Sequence, residues 1–357
     1  MATDRSLLAK YRESTRYKRN VGIASVLALI IAAIGSIAYG PVYIPPGQVL
    51  RGVFAYHTAR PQIVPIIWNI RLPQVLAAIL AGGGLAVAGA VMQTVLRNEL
   101  GSPYTLGISH AAVFGAAFSI VVLGTGSTTT SQSTAVVLDN PYLTTVSAFG
   151  CSLVSTGLIV ALARYKDASP ATMILTGVAL GSLFTAGVTA LQYLADSTEL
   201  SAMVYWTFGD LSRATWGDLG LMAAVMVPAT GYFIYNGWNY NALDSGDATA
   251  KSLGVNVESL RLWGMVVASF ITALIVSHVG IIGFVGLVVP HIVRKLIGGD
   301  ERYLLPISAV VGGVLLLISD TVARTAFAPL VLPVGILTSF LGAPLFIYLV
   351  INGREYW

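Results

Sequence analysis

From Val21 onward the chain is a succession of long apolar runs separated by short polar breaks. A membrane-crossing helix needs about 20 predominantly apolar residues. Ten runs approach or meet that length: 21–40, 73–96, 105–124, 142–163, 171–195, 217–236, 262–281, 283–297, 304–320 and 333–351. The runs are continuous, whereas a membrane β-barrel alternates polar and apolar positions, so the pattern predicts an all-α, polytopic bundle of about ten transmembrane helices. The eighth run is short and contains Pro290, which predicts a partial or broken helix.

Two stretches depart from the hairpin pattern. Residues 197–216 are too long for a tight turn and too polar for a span. Their Tyr205, Trp206 and Trp216 suit a membrane–water boundary and predict a short helix lying on the outer surface. Residues 238–260 are helix-permissive from Asp247 to Leu253, with Gly254 as a stop, which predicts a short helix in a polar loop.

Composition narrows the class. Of 357 residues, 55% are apolar and 10% charged, and the mean hydropathy is +0.78. A soluble domain carries about 25% charged residues, so a water-soluble enzyme, a disordered chain and a nucleic-acid-binding protein are excluded. Ten spans put both termini on one side. With that side cytoplasmic, 15 of the 20 Lys and Arg fall inside: six in the leader, then Arg97, Arg164, Lys166, Lys251, Arg261, Arg294, Lys295, Arg302 and Arg354. Arg51, Arg60, Arg71, Arg213 and Arg324 fall outside. That imbalance supports the orientation. The outside loop at 125–140 carries no Lys or Arg. The expected organisation is a basic cytoplasmic segment (1–20), a transmembrane domain (21–351) containing the loop 238–260, and a cytoplasmic tail (352–357).

Several chemistries are missing from the sequence. There is no GxxxxGK[ST] loop for ATP, no HExxH and no GxSxG. His57, His110, His278 and His291 are scattered, so no metal site is expected, and the lone Cys151 reads as a packing residue. Asp320 is the main carboxylate within a span, and Arg324 one helical turn later can pair with it. An ion-coupled carrier needs an intramembrane ionisable relay. Its absence points to energy supplied by a partner. Gly82, Gly83, Gly84 and Gly89, and the Gly177/Gly181 pair with Gly187, let helices approach closely, for packing within the chain or at a dimer or pathway face.

Four stretches, taken together, resemble the FecCD/BtuC-type permease subunits of type II ABC importers, which import ferric siderophores, haem and cobalamin. They are RLPQVLAAILAGGGLAVAGAVMQTVLRNELGSPYTLGIS (71–109), ALDSGDATAKSLGV (242–255), GIIGFVGLVVPHIVRKLIGGDERYLLP (280–306) and LPVGILTSFLGAPLFIYLV (332–350), in family order. The resemblance implies a homodimer around a central path in the cell membrane, two ATP-binding cassette subunits below it and an extracytoplasmic substrate-binding protein above. ATP and magnesium would bind those cassette subunits, with no cofactor in this chain and no nucleic acid among its partners. Runs 89–93 and 177–181 lean toward cobalamin. A stand-alone secondary transporter for a small molecule is the alternative, and it would need a coupling-ion site.

The resemblance also assigns roles to residues. Gly246, Asp247, Ala248, Ala250, Leu253 and Gly254 match the family's coupling helix. Arg71 and Arg324 match arginines that dock the binding protein, although a second family arginine is here Gln74 and an acidic residue is here Val331, which implies either a weaker docking contact or one that uses Arg51 or Arg60. Thr176, Gly177, Leu180, Leu183 and Phe184 of the fifth span, with Leu337, Phe340, Leu341 and Pro344 of the tenth, match the translocation path. Asn98, Leu100, Pro170 and Ala171 match the cytoplasmic gate, where Glu99 replaces a family proline and Pro170 and Ala171 replace small hydroxyl residues.

Overall fold

The computed structural model describes residues 2–55, 57, 60–126, 140–165, 169–326 and 331–352. Most of the 125–140 loop, Lys166 and Arg354 lie outside the described residues, as does the tail from 353. In chain order the helices are α1 (Ala2–Ala38), α2 (Pro46–Phe54), α3 (Val64–Ile66), α4 (Leu72–Leu96), α5 (Ile108–Val121), α6 (Pro141–Tyr165), α7 (Pro170–Leu194) and α8 (Ser197–Thr207). There follow α9 (Trp216–Tyr235), α10 (Gly237–Asp244), α11 (Asp247–Ser252), α12 (Val257–Val279), α13 (Val285–Ile297), α14 (Glu301–Thr325) and α15 (Val334–Asn352). A π-helical turn, Ile67–Arg71, joins α3 to α4.

Each of the ten apolar runs becomes a helix, and the fold is all-α as expected. Among the described residues, seven helices are long and apolar enough to cross a membrane by length and composition. The third run shortens to the 14 residues of α5, about 21 Å of helix, because residues 101–107 are used in a folded loop. The eighth becomes the 13-residue α13. The preceding residues unwind, with Gly280 and Phe284 both at positive φ. α1 runs unbroken from the basic leader into the first span.

The core is built around α4. Nearly every residue from Pro73 to Leu96 is buried, and α14, α12, α13 and α9 pack around this helix. Alanine and glycine make that possible. A Cβ on Gly82 would overlap the backbone of Gly312, and one on Gly89 would overlap the carbonyl of Gly286. These glycines therefore serve packing within the chain. So do Gly177, against Leu106, and Gly187, against Phe114. A second cluster gathers Ala112, Ala116 and Ile120 of α5 with Ala202 and Met203 of α8.

That second cluster corrects one expectation. Tyr205 and Trp216 are exposed, but Trp206 is buried within this cluster. The backbone beyond it meets the end of α12, where Asp210 N–H donates to Val279 O, and α8 is thereby held against the bundle.

Candidate functional site

The short helix α11 forms as the sequence predicts, ending one residue early. Gly246 at its start has φ +113° and Gly254 after its end has φ +83°, conformations that side chains other than glycine adopt only with strain. Between these turns Ala250 is buried, while Ala248, Thr249, Lys251, Ser252 and Leu253 are exposed. Leu253 is 67% exposed, an apolar side chain with no cover in the described chain. Asp247 faces the bundle, where both its carboxylate oxygens accept hydrogen bonds from Arg261, at 2.6 and 2.8 Å. The Arg261 bonds hold the Asp247 carboxyl below its usual range, with the Arg261 and Arg97 charges adding to the effect and burial opposing it.

The loop after α4 lies beside α11. Arg97 turns the chain with φ +47° and stands 3.7 Å from Asp247. Asn98 Oδ1 accepts the backbone N–H of Leu100 at 2.9 Å, so it shapes the loop while Leu100 is exposed. Glu99, the departure from the family pattern, finds a partner: its carboxylate is 3.3 Å from His291 Nδ1 of α13. That hydrogen bond leads the effects that lower the Glu99 pKa, against a smaller opposing effect of burial. Pro170 opens α7 and Ala171 is exposed. The hydroxyls expected there sit on either side, Ser169 capping the helix by accepting Thr172 N–H and lying 2.8 Å from the Thr172 hydroxyl. Ser169 and Thr172 were legible as a capping pattern, S-P-A-T, ahead of an apolar run.

The path residues divide. Gly177 packs on Leu106 and Phe184 stacks beside Phe114 of α5, because α7 leans on α5 and α6. Gly177 is buried there, and Phe184 is half-buried. Thr176 and Leu180 are half-buried, and Leu183 is exposed, in line with Leu175 and Val178. On α15, Leu337 is half-buried while Phe340, Leu341 and Pro344 are exposed. Phe340 also borders a mostly apolar cleft of about 710 Å³, walled by the Ser102–Thr105 loop, Phe208, the 281–284 segment and α15.

At the opposite end of the bundle the two docking arginines are not on the surface. Arg71 is 3% exposed. Its guanidinium donates to the carbonyls of Ile37, Ala38 and Val42, where α1 ends and the chain turns. Arg324 is 8% exposed. It pairs with Asp320 at 2.8 Å across one helical turn and donates to Ser36 Oγ at 2.8 Å. Gln74 completes the group by donating to Asp320 at 3.1 Å. The expectation of Arg71 and Arg324 as exposed contacts is corrected: both side chains are spent on the C-terminal end of α1. Arg51 and Arg60 are exposed at that end.

Sequence reasoning missed a polar network at the α11 end. Glu301 is almost fully buried, accepting from Thr94 at 2.8 Å and Arg294 at 3.4 Å. Next to it Asp300 binds Arg302 at 2.6 Å, Asn241 at 2.9 Å and Lys18 at 3.3 Å, and Arg302 lies 3.8 Å over the Trp238 ring. Asn241 and Lys18 lie 59 and 282 residues from Asp300, which leaves no local spacing to find for them. Among the described residues no group of three or more His, Cys, Asp or Glu could hold a metal ion.

Comparison with known proteins gives a consistent result. A family model described as the FecCD transport family matches residues 28–352. A Methanocaldococcus jannaschii protein, provisionally named as an ABC transporter permease, is 53% identical over 344 residues, covering 96% of this chain and 97% of its own. The hemin transport system permease of Yersinia pestis is 36% identical over 92% of this chain and 95% of its own length. The vitamin B12 import system permease of Vibrio parahaemolyticus is 34% identical over 95% and 96%. A solved structure provisionally assigned as a metal-chelate type ABC transporter, in an inward-facing conformation, superposes with a TM-score of 0.80 at 28% identity, covering 94% of this chain and 99% of the other.

Proposed function

The chain belongs to the FecCD transport family, and from that premise we propose that two copies form a central path for a large metal chelate, driven by a pair of ATPase subunits docked on α11. The chain is a membrane-embedded permease subunit of an ABC importer, a translocation subunit that is not itself catalytic, and its family implies ATPase and substrate-binding partners.

The observation that carries the finer reading is α11. A helix of six residues has little stability of its own. This one is shaped by a left-handed glycine turn at each end, presents an uncovered leucine and is held to the bundle by Asp247. Such an element suits insertion into an apolar groove on another protein. ATP and magnesium would belong to that partner, with this chain contributing no cofactor.

Relatives named for hemin, vitamin B12 and iron–citrate transport support a chelate as cargo. A largely apolar path suits it, because a bulky ligand held by many polar groups would leave slowly. Leu183 on α7 and Phe340, Leu341 and Pro344 on α15 are exposed on the two proposed walls. The ion-pair and hydrogen-bond clusters of Lys18, Arg97, Asp247, Arg294 and Arg302 share one end of the bundle, which supports a cytoplasmic placement for that end and for both termini in the cell membrane. Arg51 and Arg60 are the exposed basic groups proposed to meet a binding protein outside.

Co-expression with candidate ATPase subunits tests the reading. Stable co-purification of the wild-type chain and its loss with Leu253→Asp is the expected result. An ATPase subunit that binds both chains equally would overturn the role of α11.

A further inference from the structure

Arg261 is 4% exposed, and its three donor groups reach two different elements beyond its own helix. Nη1 and Nη2 donate to the carboxylate of Asp247 on α11, at 2.8 and 2.6 Å. Nε donates to the backbone carbonyl of Val95, in the last turn of α4, at 3.2 Å. One guanidinium on α12 thus ties α11 to the end of α4. Two residues later the loop of Arg97, Asn98, Glu99 and Leu100 begins, and Arg97 itself lies 3.7 Å from the same carboxylate.

The surroundings give this tether a mechanical meaning. On both sides α11 is bounded by glycine turns with open space around them: no atom lies within 4 Å of a Cβ built on Gly254, and only the Arg97 guanidinium approaches one on Gly246. Neither turn is wedged against the bundle. Its firm attachments are the buried Ala250 and the forked Asp247–Arg261 pair. A bidentate charge-assisted pair resists shear far better than a single neutral hydrogen bond. Displacement of α11 is consequently delivered to Arg261, and through its Nε to the α4 terminus from which the 97–101 loop hangs. An Arg needed only for burial economy would be replaceable by an apolar residue. This one spends its donors on two elements that must move together.

We propose that Arg261 is a positioning residue that transmits displacement of α11 to the inner end of α4, so that the loop Arg97–Gly101 shifts in step with α11. This rests on the reading of α11 as the ATPase contact.

The test uses the complete complex of the chain with its ATPase subunits in lipid nanodiscs, in a Cys151→Ala background. Reactivity of Leu100→Cys toward a water-soluble thiol reagent is compared with and without trapped ATP. A nucleotide-dependent change of about tenfold, the ordinary scale of coupling between sites, is expected with Arg261 present. Arg261→Met should reduce it to under about twofold, Arg261→Lys should retain an intermediate response, and Asp247→Asn should lose most of it. A residue that merely stabilised the fold would lower the thermal midpoint and leave the nucleotide response intact, and that result overturns the proposal. If Arg261→Met does not fold, Asp247→Asn, altered on the exposed side of the pair, is decided by the same reading. In parallel, Ala248→Cys carrying a photoreactive maleimide should crosslink to the ATPase subunit. Crosslinking with an unaltered Arg261→Met response overturns the tether alone, while no crosslink in the parent complex overturns the reading of α11 and the tether with it.

Discussion

Gly89 of α4 and Gly286 of α13 pack backbone against backbone, so that a Cβ on Gly89 would occupy the position of the Gly286 carbonyl. Neither side can yield, because the obstacle is main chain. Gly89→Val should therefore lower the thermal midpoint in detergent sharply, with a cost above the roughly 1–3 kcal/mol of ordinary overpacking. Gly150→Ala, where a Cβ meets nothing within 4 Å, should leave it unchanged. Equal midpoints for the two variants would contradict this helix packing.

The outer arginines separate into two behaviours. Arg71→Gln strips a donor from the carbonyls of Ile37, Ala38 and Val42, and each unsatisfied buried group costs about 1–3 kcal/mol. Arg324→Gln strands Asp320, the kind of change that costs about 3–5 kcal/mol. Both should reduce stability. Arg51→Glu with Arg60→Glu should keep the fold and slow association of the substrate-binding protein by about tenfold at low salt, with the difference shrinking at high salt. Surface binding kinetics beside thermal melts decide between them. Unchanged association for the Arg51/Arg60 variant would remove those residues from docking.

On the path, cysteines introduced at Leu183, Phe340 and Leu341 in a Cys151→Ala chain should react with a water-soluble thiol reagent in at least one nucleotide state. Phe184→Cys, facing Phe114, should stay protected. Labelling of Phe184→Cys alone would place the path on the other face of α7.

The charge that Glu99 brings to the 97–101 loop predicts an acid limit. Its carboxyl lies below the ordinary range, first through the hydrogen bond with His291 and further through the charges of His291, Arg294 and Lys295, with burial opposing. A depressed carboxyl stabilises the folded arrangement above its unfolded pKa of about 4.3, and that contribution disappears as pH falls through the lower folded value. A spin label at Leu100→Cys should thus stay restrained as the pH falls to about 4.3 and loosen only below that. In Glu99→Gln it should be mobile throughout. Matching profiles would show that the His291 contact does not hold the loop.

Much of this was legible in the sequence because the signals are local. Twenty-residue apolar runs, the Gly246 and Gly254 stops and the Asp320/Arg324 spacing each lie within one element or one turn. The sidedness of Gly177 and Phe184 was not legible. Most of α7 is apolar, and Ser182, Thr185 and Thr189 return their hydroxyls to its own backbone, so periodicity gives only a weak inward direction, and packing against α5 decides it. Arg71 misled for a different reason. Its place just before a span suits an exposed anchor, and only the end of α1, 33 or 34 residues earlier, reveals the buried carbonyls it serves. The Arg261 tether was hidden likewise, since Val95 lies 166 residues away.

ATP-driven import through this chain by way of α11 can be measured in reconstituted vesicles. Vesicles containing the chain, its ATPase subunits and its binding protein would be offered labelled haemin, cyanocobalamin and ferric citrate in parallel. The account predicts uptake of one of these chelates that requires ATP and the binding protein and is abolished by Leu253→Asp. Uptake by the chain alone, driven by an ion gradient without ATPase subunits, would contradict it.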